Sequence, residues 1–354
     1  MTLDRHLAAR IRAEGPISVA DYMADCLMHP TLGYYSTRDP FGADGDFVTA
    51  PEISQMFGEL TGLALAQAWL DQGCAKRITL AELGPGRGTL MRDMMRAASR
   101  VPGFTDAARI VLVETSPTLR KVQRGTLAGL NPEWVDQAAA LPDDPLFVVA
   151  NEFFDALPIR QFERGGTGWR ERRITLTDGR LSAGLSAETA VPSLTHRLED
   201  TESGQIVEIC PAVGPVIQEI AGRIAAQGGA ALIFDYGDWR SLGDTLQAVR
   251  GHEFVPVLDH PGQSDLTAHV DFEALAMAAG GHGCAYTRLT PQGVFLERLG
   301  ITHRARSLAS AAGDKADEIA AAHRRLTHPD EMGTLFKVLG LYPKGESAPP
   351  GLEP

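Results

Sequence analysis

The segment Leu80-Ala-Glu-Leu-Gly-Pro-Gly-Arg-Gly-Thr-Leu constrains this chain more than any other. The apolar run from Ile78 to Leu83 reads as a short buried strand. Glycines at 84, 86 and 88 then form a turn, and Thr89 to Ala98 reads as a helix. Glycine lets a backbone bend tightly and lets a ligand approach it, here at the carboxyl edge of a parallel sheet. Three nucleotide readings compete. A phosphate loop needs Gly-Lys-Ser/Thr where the chain has Arg87-Gly88-Thr89. A dinucleotide fingerprint needs a third glycine where Thr89 stands, and Pro85 stiffens the turn. The remaining pattern places Glu82 just before the glycines, where a carboxylate repels pyrophosphate but suits the amino-acid end of S-adenosylmethionine. An ordinary glycine turn would use the same residues.

Strand and helix patterns alternate beyond this point: Ile110 to Val113, Ser116 to Ala128, Leu146 to Ala150, Val213 to Gln227 and Ala230 to Asp235. Such alternation predicts an α/β fold, a doubly wound and mostly parallel sheet covered on both faces. Helices near Phe272–Ala279 and Ala305–Arg325 and a last strand, Thr334–Leu341, complete a core over 76–345. The pattern pauses at about 159–204, where Gly165-Gly166 and Asp178-Gly179 punctuate alternating segments, so a β-rich insertion is expected there. Residues 1–75 read as a helical N-terminal extension and cofactor lid. It comprises helices at 3–13 and 18–28, a glycine-rich aromatic loop, and a long helix from Thr49 to about Asp71. Ser18 and Asp21 form a capping pattern for the second helix. Residues 346–354 are expected to be disordered.

Charge and cysteine usage narrow the function classes. Lys plus Arg total 33 against 45 Asp plus Glu, a formal net charge of −12, which argues against bulk binding to nucleic acid or anionic lipid. No apolar run approaches the roughly 18 residues of a membrane span, so no membrane insertion is expected. Four cysteines, at 26, 74, 210 and 284, are too scattered for a disulfide framework or a Cys-x-x-Cys metal site. The first residues lack an apolar stretch and carry Asp4. A cytoplasmic bacterial protein is expected, with the mitochondrial matrix as the location of a processed eukaryotic member.

Further strand tips carry acids. Ile110-Val-Leu-Val-Glu114 ends 26 positions beyond Gly88, where a carboxylate can accept both hydroxyls of a ribose. Val148-Val-Ala-Asn-Glu-Phe-Phe-Asp-Ala-Leu-Pro158 ends in Asn151 and Glu152 with Asp155 close behind. A capped helix start is the plain alternative for that segment. Asp235-Tyr-Gly-Asp closes the next strand on the same edge.

In order along the chain stand Leu32-Gly-Tyr-Tyr, Gly45-Asp-Phe-Val-Thr-Ala-Pro-Glu-Ile, Phe57-Gly-Glu, Glu82-Leu-Gly-Pro-Gly-Arg-Gly and Val113-Glu-Thr-Ser-Pro. Asn151-Glu-Phe-Phe-Asp-Ala-Leu-Pro, Asp235-Tyr-Gly, Asp265-Leu-Thr-Ala-His-Val-Asp-Phe and Met332-Gly-Thr-Leu-Phe-Lys-Val-Leu follow. Over nearly its whole length the chain thus resembles the MidA-type class I methyltransferases. The resemblance implies S-adenosylmethionine as cofactor and methylation of a protein arginine. In mitochondrial relatives the target lies in respiratory complex I (NADH:ubiquinone oxidoreductase) during its assembly. It implies that Gly84, Gly86 and Gly88 line the cofactor with Glu82 and Asn151, that Glu114 holds the ribose, and that Asn151–Pro158 borders the acceptor.

A guanidinium is a poor nucleophile, so two carboxylates that clamp it, localise its charge and take a proton would serve the reaction. Glu152 and Asp155 are the candidates, Glu152 the stronger. Tyr35, Asp46, Phe47 and His269 are expected at the substrate or in a lid. Methylation of a small molecule, or a cofactor-binding assembly chaperone without catalysis, uses the same motifs, and a homodimer is left open.

Overall fold

The computed structural model describes residues 2–37 and 48–354. Helices α1 (Leu3–Glu14) and α2 (Val19–Met28) come first. The Ser18 hydroxyl accepts from the Asp21 N–H at 3.0 Å, and the Asp21 carboxylate accepts from the Ser18 N–H at 3.1 Å. The long helix expected from Thr49 is broken. A single turn, Ala50–Ile53, stops at Ser54, whose extended backbone (φ −160°, ψ 139°) starts α3 (Gln55–Asp71) afresh. Ser54 is itself an N-cap, its hydroxyl accepting from the Met56 N–H, so local capping outweighs continuation.

The core then follows as β1 (Ile78–Leu83), α4 (Thr89–Ala98), β2 (Ala108–Val113), α5 (Pro117–Thr126), β3 (Glu133–Val135) and β4 (Leu146–Asn151). The insertion supplies β5 (Arg160–Arg164), β6 (Trp169–Thr177), β7 (Arg180–Leu185) and β8 (Ile206–Ile209), all antiparallel. After it come α6 (Val213–Gln227), β9 (Gly229–Asp238), β10 (Gln247–Arg250), β11 (Glu253–Val255), β12 (Asp265–Thr267), α7 (Phe272–Gly281) and β13 (Cys284–Tyr286). The helix expected over 305–325 is two, α8 (Ile301–Ala312) and α9 (Ala316–Thr327), because Gly313 takes φ 57° and ψ −120° between them. Strand β14 (Phe336–Pro343) closes the sheet.

In space the main sheet runs β13-β14-β9-β4-β1-β2-β3. The strands from β9 to β3 are parallel, and β14 enters antiparallel to β9. The chain leaves β1 towards β2 on one side and returns to β4 on the other, so the crevice between β1 and β4 is the switch point where such sheets bind ligands. The register aligns Leu83 with Val113 and Ala150, and Asn151 with Phe234, which puts four acid-bearing strand tips on one edge.

Both faces are covered, which explains why β1 and β4 are buried at every position. Phe57, Leu60 and Leu65 of α3 with Met91 and Met94 of α4 pack one face; Ile217, Ile220 and Leu275 pack the other. Helix α3, which the sequence pattern grouped with the extension, therefore belongs to the sheet. Helices α1 and α2 instead pack on the insertion and on β12, with Leu7, Tyr22 and Met23 in one cluster with Ile159, Ile174 and Leu266. Ile17 even pairs as a bridge with Ile174 of β6. The terminal segment 346–354, expected to be disordered, is docked. Leu352 is buried in the core with Phe295, and the Arg288 N–H donates to the Glu353 carbonyl at 2.8 Å.

Candidate functional site

Three left-handed glycines build the turn after β1: Gly84 at φ 60°, Gly86 at 50° and Gly88 at 82°. A Cβ on Gly84 would lie 2.9 Å from the Phe153 ring, so that position admits no side chain. Gly84 and Gly86 border a cavity of about 310 Å³ whose walls include Tyr35, Leu83, Glu114, Asp136, Glu152 and Leu157. A smaller cleft of about 40 Å³ adjoins it, between Glu52, Glu82, Arg87, Asn151 and Glu152. Gly88 lines neither. It precedes α4, and a Cβ there would meet Leu127 at 3.3 Å, so its contribution is close packing of the loop against the end of α5.

The small cleft holds buried acceptors without partners. Glu82 is 3 % exposed, and its Oε2 has no hydrogen-bond partner. The Asn151 Oδ1 is likewise buried and unpartnered. Burial pushes the Glu82 carboxyl well above its ordinary range, against the pull of the Met91 N–H. Two orphaned acceptors cost free energy unless a ligand supplies donors, and the ammonium of an amino acid supplies three. At the other end of the large cavity the Glu114 carboxylate accepts from the Ser116 N–H at 2.7 Å and from Gln123 Nε2 at 3.2 Å. Burial raises its pKa while these bonds hold it down. Each oxygen keeps lone-pair capacity for a ribose hydroxyl. The residues present therefore fit S-adenosylmethionine, amino-acid end at Glu82 and Asn151, ribose at Glu114.

Across Glu152 the chemistry changes. Glu152 sits at φ 52°, a strained conformation for a non-glycine residue, which turns its side chain out of the strand. Its Oε1 accepts from Asn151 Nδ2 at 3.1 Å and from the Ala50 N–H at 3.3 Å. Burial, with the neighbouring Asp155 carboxylate adding to it, pushes Glu152 up to about 8. Asp155 is also raised by burial, and its Oδ1 has no partner. Beneath them Asp235 is fully buried and accepts from the N–H groups of Phe154 (3.0 Å), Asp155 (3.3 Å) and Tyr236 (3.1 Å). It thereby fixes the loop that carries both candidates. Tyr35 lines the donor cavity and donates to Asp265 Oδ1 at 2.9 Å, with burial holding the phenol well above its usual range.

Not every expected residue converges. His269 lines a separate cavity of about 540 Å³ between the insertion and α7. Its ring meets Tyr236 edge-on at 5.4 Å, and burial lowers its pKa. Asp46 and Phe47 lie outside the described residues. Sequence reasoning missed Asp136, Gln137 and Ala138, which wall the donor cavity after β3, and it missed Gln123 and the anchoring role of Asp235. The short strand β3 gave no apolar run to mark its tip.

Residues 60–290 match a protein-family model described as a putative S-adenosyl-L-methionine-dependent methyltransferase. The mitochondrial protein arginine methyltransferase NDUFAF7 of Danio rerio is 38% identical, over 94% of this chain and 85% of that protein. The human protein of that name is 35% identical, over 96% of this chain and 83% of its own length. A crystal structure of a likely methyl transferase from Burkholderia thailandensis, bound to S-adenosyl-homocysteine, superposes with a TM-score of 0.86 at 29% identity. That alignment covers 99% of this chain and 93% of the other.

Proposed function

Since the chain belongs to this S-adenosylmethionine-dependent methyltransferase family, we propose that it methylates an arginine in a protein subunit of respiratory complex I during assembly. One observation carries the acceptor assignment: Glu152 lines the donor cavity, and Asp155, close enough to raise its pKa, shares a loop held by a third buried acid. When bound, the cofactor supplies a methyl group on a sulfonium, open to in-line displacement. The protein's contribution is position and electrostatics.

A guanidinium presents N–H donors in a planar fork, and paired carboxylates match that fork. Its arrival favours ionisation of Glu152 and Asp155, which burial alone resists. The clamp draws charge to the held nitrogens and leaves the remaining one richer in electrons. Methylation must release one proton, and Glu152, ionised by the arriving cation, is the carboxylate assigned to accept it. Asp155 shares the clamp, and Asp235 fixes the geometry of both.

The curated relatives are mitochondrial proteins, which favours the matrix as the location. The expectation of a cytoplasmic protein rests on sequence alone. The test is methyl transfer from methyl-labelled S-adenosylmethionine to purified complex I subunits, with the labelled residue mapped by mass spectrometry. Label on an arginine of one subunit is expected; label on another residue type, or on no subunit, contradicts the assignment.

A further inference from the structure

Gln123 lies in the middle of α5, a helix whose pattern reads as an ordinary amphipathic cover. Its side chain is nonetheless fully buried. Nε2 donates to the Gly86 carbonyl at 2.7 Å and to Glu114 Oε2 at 3.2 Å, while Oε1 accepts from the Trp134 indole N–H at 2.8 Å. These three partners fix the amide orientation without ambiguity. Indole is a donor only, and carbonyl and carboxylate are acceptors only, so no flipped amide could satisfy them.

One side chain thus ties together the glycine turn after β1, the acid at the tip of β2 and Trp134 of β3. Gly86 and Glu114 both border the donor cavity; Gln123 does not. The turn lies directly against α5 at Gly88, where an added Cβ would stand 3.7 Å from the Gln123 Cα and 3.3 Å from the Leu127 side chain. Its φ of 82° is what favours glycine at this third position of the turn.

We infer that Gln123 is a positioning residue for the methyl donor: it sets the distance between the Gly86 backbone and the Glu114 carboxylate, and so the affinity for the cofactor's ribose end. The inference rests on the assignment of this cavity to S-adenosylmethionine. Gln123 keeps one Glu114 oxygen oriented without adding charge. Leucine at 123 fills the same space but releases both groups. Glutamate brings a second anion against Glu114 and loses the double donor.

The experiment is calorimetric titration of the full chain with S-adenosyl-homocysteine, for wild type, Gln123→Leu, Gln123→Glu and Trp134→Phe, with Tm measured for each. Trp134→Phe removes the third hydrogen bond and none to the turn or to Glu114, so it reports the cost of a merely structural loss. Gln123→Leu is expected to weaken binding about tenfold or more, since a bond to a charged group is lost. Trp134→Phe should stay within about twofold at a similar fall in Tm. Gln123→Glu should bind worst at pH 8 and recover part of the loss at pH 6, as protonation removes the repulsion. In turnover assays the Gln123→Leu loss should fall on KM for the donor, with kcat little changed. Gln123→Leu binding within twofold of wild type, or a loss matched by Trp134→Phe, overturns the inference. Absence of binding by wild type would instead overturn the donor-site assignment beneath it.

Discussion

Glu152 shows how a single residue can be strained, partly buried and protonated without being a defect. Its left-handed backbone and raised pKa both cost stability, the combination expected of a group held for a function, here the proposed proton acceptor. The linkage has a definite sign. A carboxyl raised from 4.5 to about 8 keeps its proton in the folded state while the unfolded chain loses it, so stability falls between about pH 4.5 and 8 and levels above. Glu152→Gln removes that fall. Its Tm should match wild type near pH 4 and exceed it by several degrees at pH 8; parallel curves across that range would show that Glu152 is not held protonated. The same group should give kcat/KM for the acceptor a limb that rises with pH towards about 8, because free enzyme must be ionised to clamp a cation. Glu82, Glu114 and Glu152 could be proposed from sequence because each is an acid at or near the end of an apolar run, and Asp155 because it follows Glu152 closely. Gln123 was not, since an amide within an amphipathic helix reads as solvated surface until the fold buries it.

At the scale of elements, the glycines of α3 separate two opposing effects. Alanine for glycine inside a helix gains about 1 kcal/mol from backbone entropy. At Gly62, however, a Cβ would lie 2.7 Å from the Met94 Cα of α4, and a clash with backbone has no flexible tip to yield. Forcing close-packed elements apart costs about 1–3 kcal/mol. Gly62→Ala should therefore lower Tm, while Gly222→Ala in α6, where a Cβ meets nothing within 4 Å, should raise it. A rise in both would mean that α3 and α4 are not packed as closely as described. The breaks in the two long helices were written in the chain as Ser54 and Gly313, but periodicity ran through them. Capping and left-handed backbone are single-residue effects that a pattern averaged over several turns does not resolve.

Across the whole molecule, the parallel sheet and its switch point followed from strand–helix alternation, because a strand covered on both faces is predominantly apolar. What stayed hidden is non-local. Nothing in the pattern announces that Ile17 bridges to Ile174, or that Leu352 returns to the core beside Phe295. Such contacts join segments that each look self-sufficient. Their consequence is functional, for the N-terminal helices bring Tyr35 to the donor cavity while resting on the insertion. The proposed division meets at β4's tip, where Glu152 borders the donor cavity and, with Asp155, is assigned to the acceptor. The most direct test of that division is the Glu152→Gln protein, titrated with S-adenosyl-homocysteine and assayed for methyl transfer to complex I subunits in parallel. The account predicts wild-type affinity within a few-fold and turnover reduced by about 10²–10⁴. Turnover at the wild-type rate, or donor binding lost together with it, would contradict the division.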